Sequence, residues 1–153
     1  MGEYTARIVW QRAGQPFTDK RYSRAHNWHF DEGVVVAASA SPQIVPLPLS
    51  NPAAVDPEEA LVAAVASCHM LFFLQFAADA GIVVENYIDN ATGTMAAGND
   101  GMTAFTKITL RPQITFGREA VPDSATISAL HAKAHRHCFI ANSLKCPVEV
   151  ANV

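Results

Sequence analysis

Asp56-Pro57-Glu58-Glu59-Ala60-Leu61-Val62-Ala63-Ala64-Val65-Ala66-Ser67-Cys68-His69-Met70-Leu71-Phe72-Phe73-Leu74-Gln75-Phe76 decides the architecture of this 153-residue chain. An Asp cap, Pro at the first helical position and a Glu three residues after the cap make a strong helix start. The spacing predicts a helix to about Asp79, with Gly81 as its C-terminal stop. Leu61 to Ala66, Met70 to Leu74 and Phe76 leave it apolar on almost every face, and such a helix must be buried in a core or a membrane. Ser67, Cys68, His69 and Gln75 interrupt the run, so no stretch approaches the roughly 18 apolar residues of a membrane span. The expectation is the central helix of a soluble protein with no membrane partner. A domain of this size can hardly surround it alone, which favours a dimer.

Outward from this helix, the N-terminal part reads as strands. Tyr4 to Trp10 alternates polar and apolar residues until Gly14-Gln15-Pro16 breaks it. A second strand is predicted over Arg21 to Phe30, a turn at Asp31-Glu32-Gly33, and a third strand over Val34 to Ala38. Residues 39–57 hold five of the nine prolines, which predicts an ordered loop. On the other side, Ile82 to Ala96 and Thr103 to Phe116 read as two long antiparallel strands joined through Gly98-Asn99-Asp100-Gly101. Asp123-Ser124 can cap a second helix through about His137, with Ile127, Leu130, Ala134 and Cys138 at helical spacing. Cys146-Pro147-Val148-Glu149-Val150 closes as a final strand. The order of elements predicts one α+β domain over residues 1–153.

Composition narrows the function classes. Half the residues are hydrophobic and only 16% are charged, below the usual quarter or so, which hints at apolar surface hidden in a subunit interface. The net charge is −3, and the densest basic group, Lys20-Arg21 with Arg24, is too small to track a phosphate backbone. Nucleic acid is therefore not an expected partner. Met1-Gly2-Glu3-Tyr4 lacks the basic-then-apolar layout of an export signal, and Ala6 stands where myristoylation needs Ser or Thr. The predicted address is the cytoplasm. Three widely spaced cysteines are not a disulfide framework, and in a reducing compartment a cysteine pair is more often catalytic, redox-active or metal-binding than structural.

Cys68 lies mid-helix, where apolar burial raises a thiol's pKa and opposes the reactive thiolate. No Lys or Arg occurs between Asp56 and Asn90, so an activating cation must come from elsewhere, and Arg21 and Arg24 are candidates. On composition alone a packed core cysteine is the simpler reading. The local sequence shifts that balance. Asp56-Pro57-Glu58-Glu59 followed by Ala63-Ala64-Val65-Ala66-Ser67-Cys68, with the cysteine ten residues after Glu58, resembles the central-helix signature of the OsmC/Ohr family of thiol-dependent peroxidases. Ala134-His135-Arg136-His137-Cys138-Phe139-Ile140-Ala141-Asn142-Ser143 resembles the family's second signature, and the element order matches across essentially the whole chain.

The resemblance implies an OsmC-like fold, with antiparallel sheets around a buried central helix in an intertwined homodimer whose sites lie at the interface. It implies reduction of organic (alkyl, aryl or fatty-acid) hydroperoxides, with Cys68 as the peroxidatic thiolate and Cys138 condensing with its sulfenic acid to a disulfide. No cofactor is implied beyond an external dithiol, typically a dihydrolipoyl group, that resets the pair by exchange. The family's arginine, held by a glutamate, maps to Arg24 in preference to Arg21, and the glutamate to Glu58. Ten helical residues give about 15 Å of rise, so one straight helix cannot bring Glu58 beside Cys68. Either the helix start departs from straight geometry, or Glu58 and its arginine serve a partner chain's cysteine. Met70, Phe72, Phe73 and Phe76 follow Cys68 and are candidates to line an apolar substrate pocket, although core packing accounts for such residues equally well. Phe139 stands where the family often has Pro, and Cys146 has no counterpart in the motif. His69 is turned about 100° from the thiol and reads either as structural or as a polar group supporting the site from behind.

Two other readings use the same residues. His131, His135, His137 and Cys138, with Cys68 and His69, could form a zinc-binding module, though no Cys-x-x-Cys is present and Lys133 and Arg136 interleave the cluster. The fold could also serve a small-molecule binding or stress-associated protein with little turnover.

Overall fold

In a computed structural model, which describes residues 2–119 and 121–151, the chain divides into two compact units, Met1–Ala60 and Leu61–Val153. In the first, β1 (Arg7–Val9), β2 (His26–His29) and β3 (Val35–Ala38) form an antiparallel sheet in that order, with Ile8 opposite Trp28 and Trp28 opposite Val36. The predicted second strand is shorter than its pattern because residues 10–25 bond among themselves and to the proline-rich loop, where the Arg24 N–H donates to the Leu49 carbonyl. Trp10 donates to the Ser23 carbonyl (2.9 Å), and the Ser23 N–H donates to Gln15 Oε1 (2.8 Å). The proline-rich loop is ordered, as expected. The Ser39 N–H donates to the Val55 carbonyl and the Val55 N–H to the Ala37 carbonyl, both at 3.0 Å, while Ser39 Oγ accepts from the Asn51 N–H.

Helix α1 (Pro57–Asp79) begins and ends where its punctuation places it. Asp56 Oδ1 accepts the Glu59 N–H at 2.8 Å and Glu59 Oε1 accepts the Asp56 N–H at 2.9 Å, a reciprocal capping box. Gly81 takes φ +71°, the left-handed conformation that ends a helix without a Cβ penalty. By length and composition α1 does meet the requirement for a membrane span, which corrects the sequence estimate. Val65, His69, Phe73, Phe76 and Ala77 are buried within the fold. The all-round burial expected of it is not reached in one chain: only that stripe is fully buried, while Ala63, Ala64 and Leu71 are exposed.

The second unit packs two cores along α1. Phe73, Phe76 and Ala77 meet Leu130 and Ala134 of α2 (Ser124–His137) under β4 (Val84–Asp89) and β7 (Pro112–Phe116). Val65 meets Ile108 and Leu110 of β6 (Thr103–Leu110), which pairs with β5 (Thr92–Ala97) and β8 (Val148–Val150). Asp123 caps α2 by accepting the Thr126 N–H at 2.8 Å. A four-residue helix, α3 (Phe139–Asn142), follows and was not anticipated.

Two expectations are corrected. The two long strands are four, because the hairpin breaks between the β4–β7 and β5–β6 pairings. At this corner Asp89 Oδ1 accepts the Arg111 N–H at 2.7 Å and the Arg111 guanidinium donates to Thr92 Oγ1 at 2.6 Å, replacing ladder bonds with side-chain bonds. The sheets are also not all antiparallel, since β8 runs parallel to β6, with Val148 opposite Ile108. Arriving from α2 and α3, the chain enters that edge in the same direction as β6.

Gly93 on β5 shows how closely this unit packs. A Cβ there would lie 2.4 Å from Phe105 Cε1 and 2.8 Å from Val62 Cγ2. Gly93→Ala should lower unfolding stability by about 1–3 kcal/mol, measured as a fall in the urea midpoint at constant slope.

Candidate active site

The two motif cysteines come together. Cys68 faces outward from α1 and is partly exposed, whereas Cys138, the residue joining α2 to α3, is fully buried. Their thiols are near enough for Cys68 to act on the titration of Cys138, and both are free. Cys138 Sγ also accepts the Ala141 N–H at 3.4 Å and faces the Val65 carbonyl at 4.0 Å. Burial, reinforced by the neighbouring Cys68, pushes the Cys138 thiol up to about 11, although the Ala141 N–H opposes the shift. At neutral pH it is a thiol. Cys146 packs against the Val65–Ile108–Leu110 core and takes no part in this pair.

Cys68 opens on an apolar cavity of about 410 Å³ lined by Ala64, Ser67, Leu71, Phe72, Phe139 and Ile140, with Gln75 its largest polar side chain. Of the aromatics proposed for a substrate pocket, Phe72 lines it and stacks edge-on against Phe139 at 5.1 Å. Phe73 and Phe76 belong to the buried core, and Met70 is partly buried without lining the cavity. The reason is angular: Phe72 is four residues from Cys68 and shares its face, while Phe73 shares the face of His69.

Arg24 lies in the first unit, in a separate cavity of about 480 Å³ lined by Trp10, Phe17, Tyr22 and His26. Its guanidinium lies 3.7 Å over the Tyr22 ring and donates to the Lys20 and Tyr22 carbonyls. His26 braces it from behind. Trp28 can only donate, so His26 Nε2 accepts that bond (2.9 Å) and Nδ1–H donates to the Arg24 carbonyl (2.7 Å). Arg21 is exposed. Among the described residues Arg24 and Glu58 form no ion pair within 4.0 Å, and Glu58 Oε2 is buried without a hydrogen-bond partner.

The histidines do not assemble as a metal site. Among the described residues no group of three or more His, Cys, Asp or Glu could hold an ion. His137 Nδ1 is spent on the Lys133 carbonyl (2.9 Å) and its ring packs on Phe76. His69 and His131 instead bond to each other at 2.9 Å in the core. The sequence treatment of His69 as a structural polar group did not identify this partner. The available signal was positional, since His69 adjoins Cys68 and His131 precedes Cys138 by seven residues, about two helical turns. Phe139 and Ile140 were also missed as cavity walls, because α3 was not foreseen.

Comparison with known proteins places this geometry. The family model for OsmC-like proteins matches residues 50–152, and the chain belongs to the OsmC-like family. A solved OsmC-like protein of unknown function from Vibrio cholerae is 48% identical, with 98% of each chain covered and a TM-score of 0.95. An organic hydroperoxide resistance protein OsmC from Legionella pneumophila shares the fold at 18% identity, covering 98% of this chain and 94% of that one with a TM-score of 0.69. One from Elizabethkingia anophelis does so at 16% identity, 97% and 94% coverage and a TM-score of 0.69. Comparison with curated proteins found no match.

The buried imidazoles set a pH dependence. Burial first, and then the neighbouring His131 and His135, holds His69 down to about 4 from an ordinary 6.5, and burial does the same to His131. Between these values the unfolded chain binds protons that the folded chain refuses. The stabilisation is therefore complete above pH 6.5 and is lost as pH falls toward 4. Urea unfolding at pH 7.5, 6.0 and 5.0 should show stability falling by up to a few kcal/mol, with a ceiling of about 3 kcal/mol per imidazole. His131→Phe should remove much of that slope.

Proposed function

We propose that this OsmC-like protein is a thiol-dependent peroxidase that reduces organic hydroperoxides by a two-cysteine mechanism. The observation that carries the reading is the inequality of two adjacent free thiols: Cys68 faces an apolar cavity, and Cys138 lies sealed behind it. In the proposed cycle the Cys68 thiolate attacks one peroxide oxygen. The O–O bond breaks, the alkoxide takes a proton and leaves as an alcohol, and Cys68 becomes a sulfenic acid. The Cys138 sulfur then attacks the Cys68 sulfur, the thiol proton and the sulfenic hydroxyl leave as water, and the disulfide forms. An external dithiol, of which a dihydrolipoyl group is the proposed example, reduces it by exchange and is itself oxidised to a disulfide. The apolar cavity wall favours alkyl, aryl or fatty-acid hydroperoxides over hydrogen peroxide.

The thiolate needs a cation, and α1 supplies none. In our reading Arg24 and Glu58 serve the Cys68 of a second copy, in a homodimer with sites at the interface. Two features support this. Helix α1 has no internal break, so its own rise of about 15 Å separates Glu58 from Cys68. The outward face of α1 exposes apolar side chains, with Leu71 60% exposed. Cytoplasmic residence is part of the same proposal, as a reducing compartment supplies the dithiol. A second reading, a small-molecule binding protein with little turnover, draws on the missing Arg24–Glu58 pair and on the engagement of Arg24 by its own loop.

Peroxide consumption with dihydrolipoamide separates the two. Cumene hydroperoxide should be consumed faster than hydrogen peroxide, and Cys68→Ser should lose activity by about 100-fold or more. Cys138→Ser should be inactivated during turnover as its unprotected sulfenic acid over-oxidises. Equal, slow consumption by wild type and Cys68→Ser would leave only the binding reading.

A further inference from the structure

The His69–His131 pair is a polar contact buried beside the Phe73 core, and the proposed chemistry does not use it. The rings are 1% and 4% exposed, stack at 5.2 Å with 8° between their planes, and share the 2.9 Å bond from His69 Nε2 to His131 Nδ1. Phe73 covers His131 at 4.4 Å and in turn meets Tyr87 at 5.7 Å. Of the charged or titratable groups around the pair, His135 is the one whose charge is felt at His69, and no carboxylate offsets it there. Both imidazoles are neutral at pH 7, as burial demands.

The placement of this bond matters more than its strength. His69 directly follows Cys68 on α1. His131 stands seven residues before Cys138 on α2, about two turns away on nearly the same face. The bond therefore ties the helix carrying one thiol to the helix carrying the other. Apolar ridges pack in several registers that differ by a turn, or about 5.4 Å, whereas a hydrogen bond between two ring nitrogens is satisfied in one. Leaving either nitrogen unpaired in the core carries a desolvation cost.

We infer that His69 and His131 are positioning residues that fix the register of α1 on α2 and so hold Cys138 within reach of Cys68. The inference rests on the two-cysteine reading, but its test needs no peroxide. The full-length reduced protein is treated with diamide, which takes two electrons and two protons from the thiol pair and becomes the hydrazine. The Cys68–Cys138 disulfide is followed over time by non-reducing peptide mass spectrometry, with thermal unfolding at pH 7.5 recorded for each variant.

His131→Phe keeps a ring against Phe73 and removes the bond. It should slow disulfide formation roughly tenfold or more, as small misplacements of reacting groups do, and lower the melting temperature by about a few degrees, because His69 Nε2 loses its partner in the core. His131→Asn places an amide atom near the former Nδ1 and should restore the rate to within about threefold of wild type. A folded His131→Phe that closes the disulfide at the wild-type rate overturns the inference, as does an Asn variant no faster than His131→Ala. If His131→Phe does not fold, the comparison of Asn with Ala decides. Failure of the wild-type protein to form the Cys68–Cys138 bridge at all would instead refute the two-cysteine reading.

Discussion

An apolar helix has to be covered, and the rest of this structure follows from how α1 is covered. One stripe, Val65, His69, Phe73, Phe76 and Ala77, is packed by α2 and by strands on both sides. Burial of side chains such as Val65, Phe73 and Phe76 contributes about 1.5–3 kcal/mol each. The opposite face keeps Ala63, Ala64 and Leu71 in contact with solvent. Cys68 sits at the seam between the two faces, about 100° around the helix from buried His69. A thiol at the seam can be reached from outside and can still touch a partner in the core. One turned further inward would be inert, and one turned further outward would lose contact with Cys138.

In the proposed cycle, burial also sets the order in which the two sulfurs react. Desolvation holds Cys138 as a thiol near 11, so it does not compete for an incoming electrophile. Within the proposed cycle it reacts only when a sulfenic acid stands beside it, where the proton it sheds leaves with the sulfenic hydroxyl. The α3 turn contributes here, because its Ala141 N–H points at the same sulfur and partly offsets the desolvation.

Where the physics is local, the sequence was informative. Asp56, Pro57 and Glu59 define a helix start through bonds within four residues, Gly81 ends that helix, and Asp123 opens the next one, so all three boundaries could be read directly. The family was legible from motif spacing. What remained hidden depends on distant partners. The corner at Asp89 and Arg111 joins residues 22 apart, and nothing in the alternating pattern announces it. The direction of β8 depends on where α3 delivers the chain. Phe72 and Phe73 are adjacent and chemically identical, yet one lines the cavity and the other fills the core, a distinction made by 100° of helix turn and by the elements packed outside it. The pairing of Arg24 with Glu58, implied by resemblance alone, is not formed within the chain.

The same dependence on distant partners explains why a polar pair belongs in this core. Two apolar side chains at 69 and 131 would avoid the desolvation of four ring nitrogens, one of which, His69 Nδ1, is buried without a partner. By burial alone such a core would be as stable or more so. It would not select one register, because leucine and phenylalanine ridges slide past each other at small cost, whereas a directional bond does not. For a helix pair whose only task is to pack, that selectivity would be superfluous. For a pair that, in the proposed cycle, brings together a sulfur on α1 and one at the end of α2, register is the quantity that matters, and the imidazole pair is a contact between the two helices that is satisfied by direction as well as by fit.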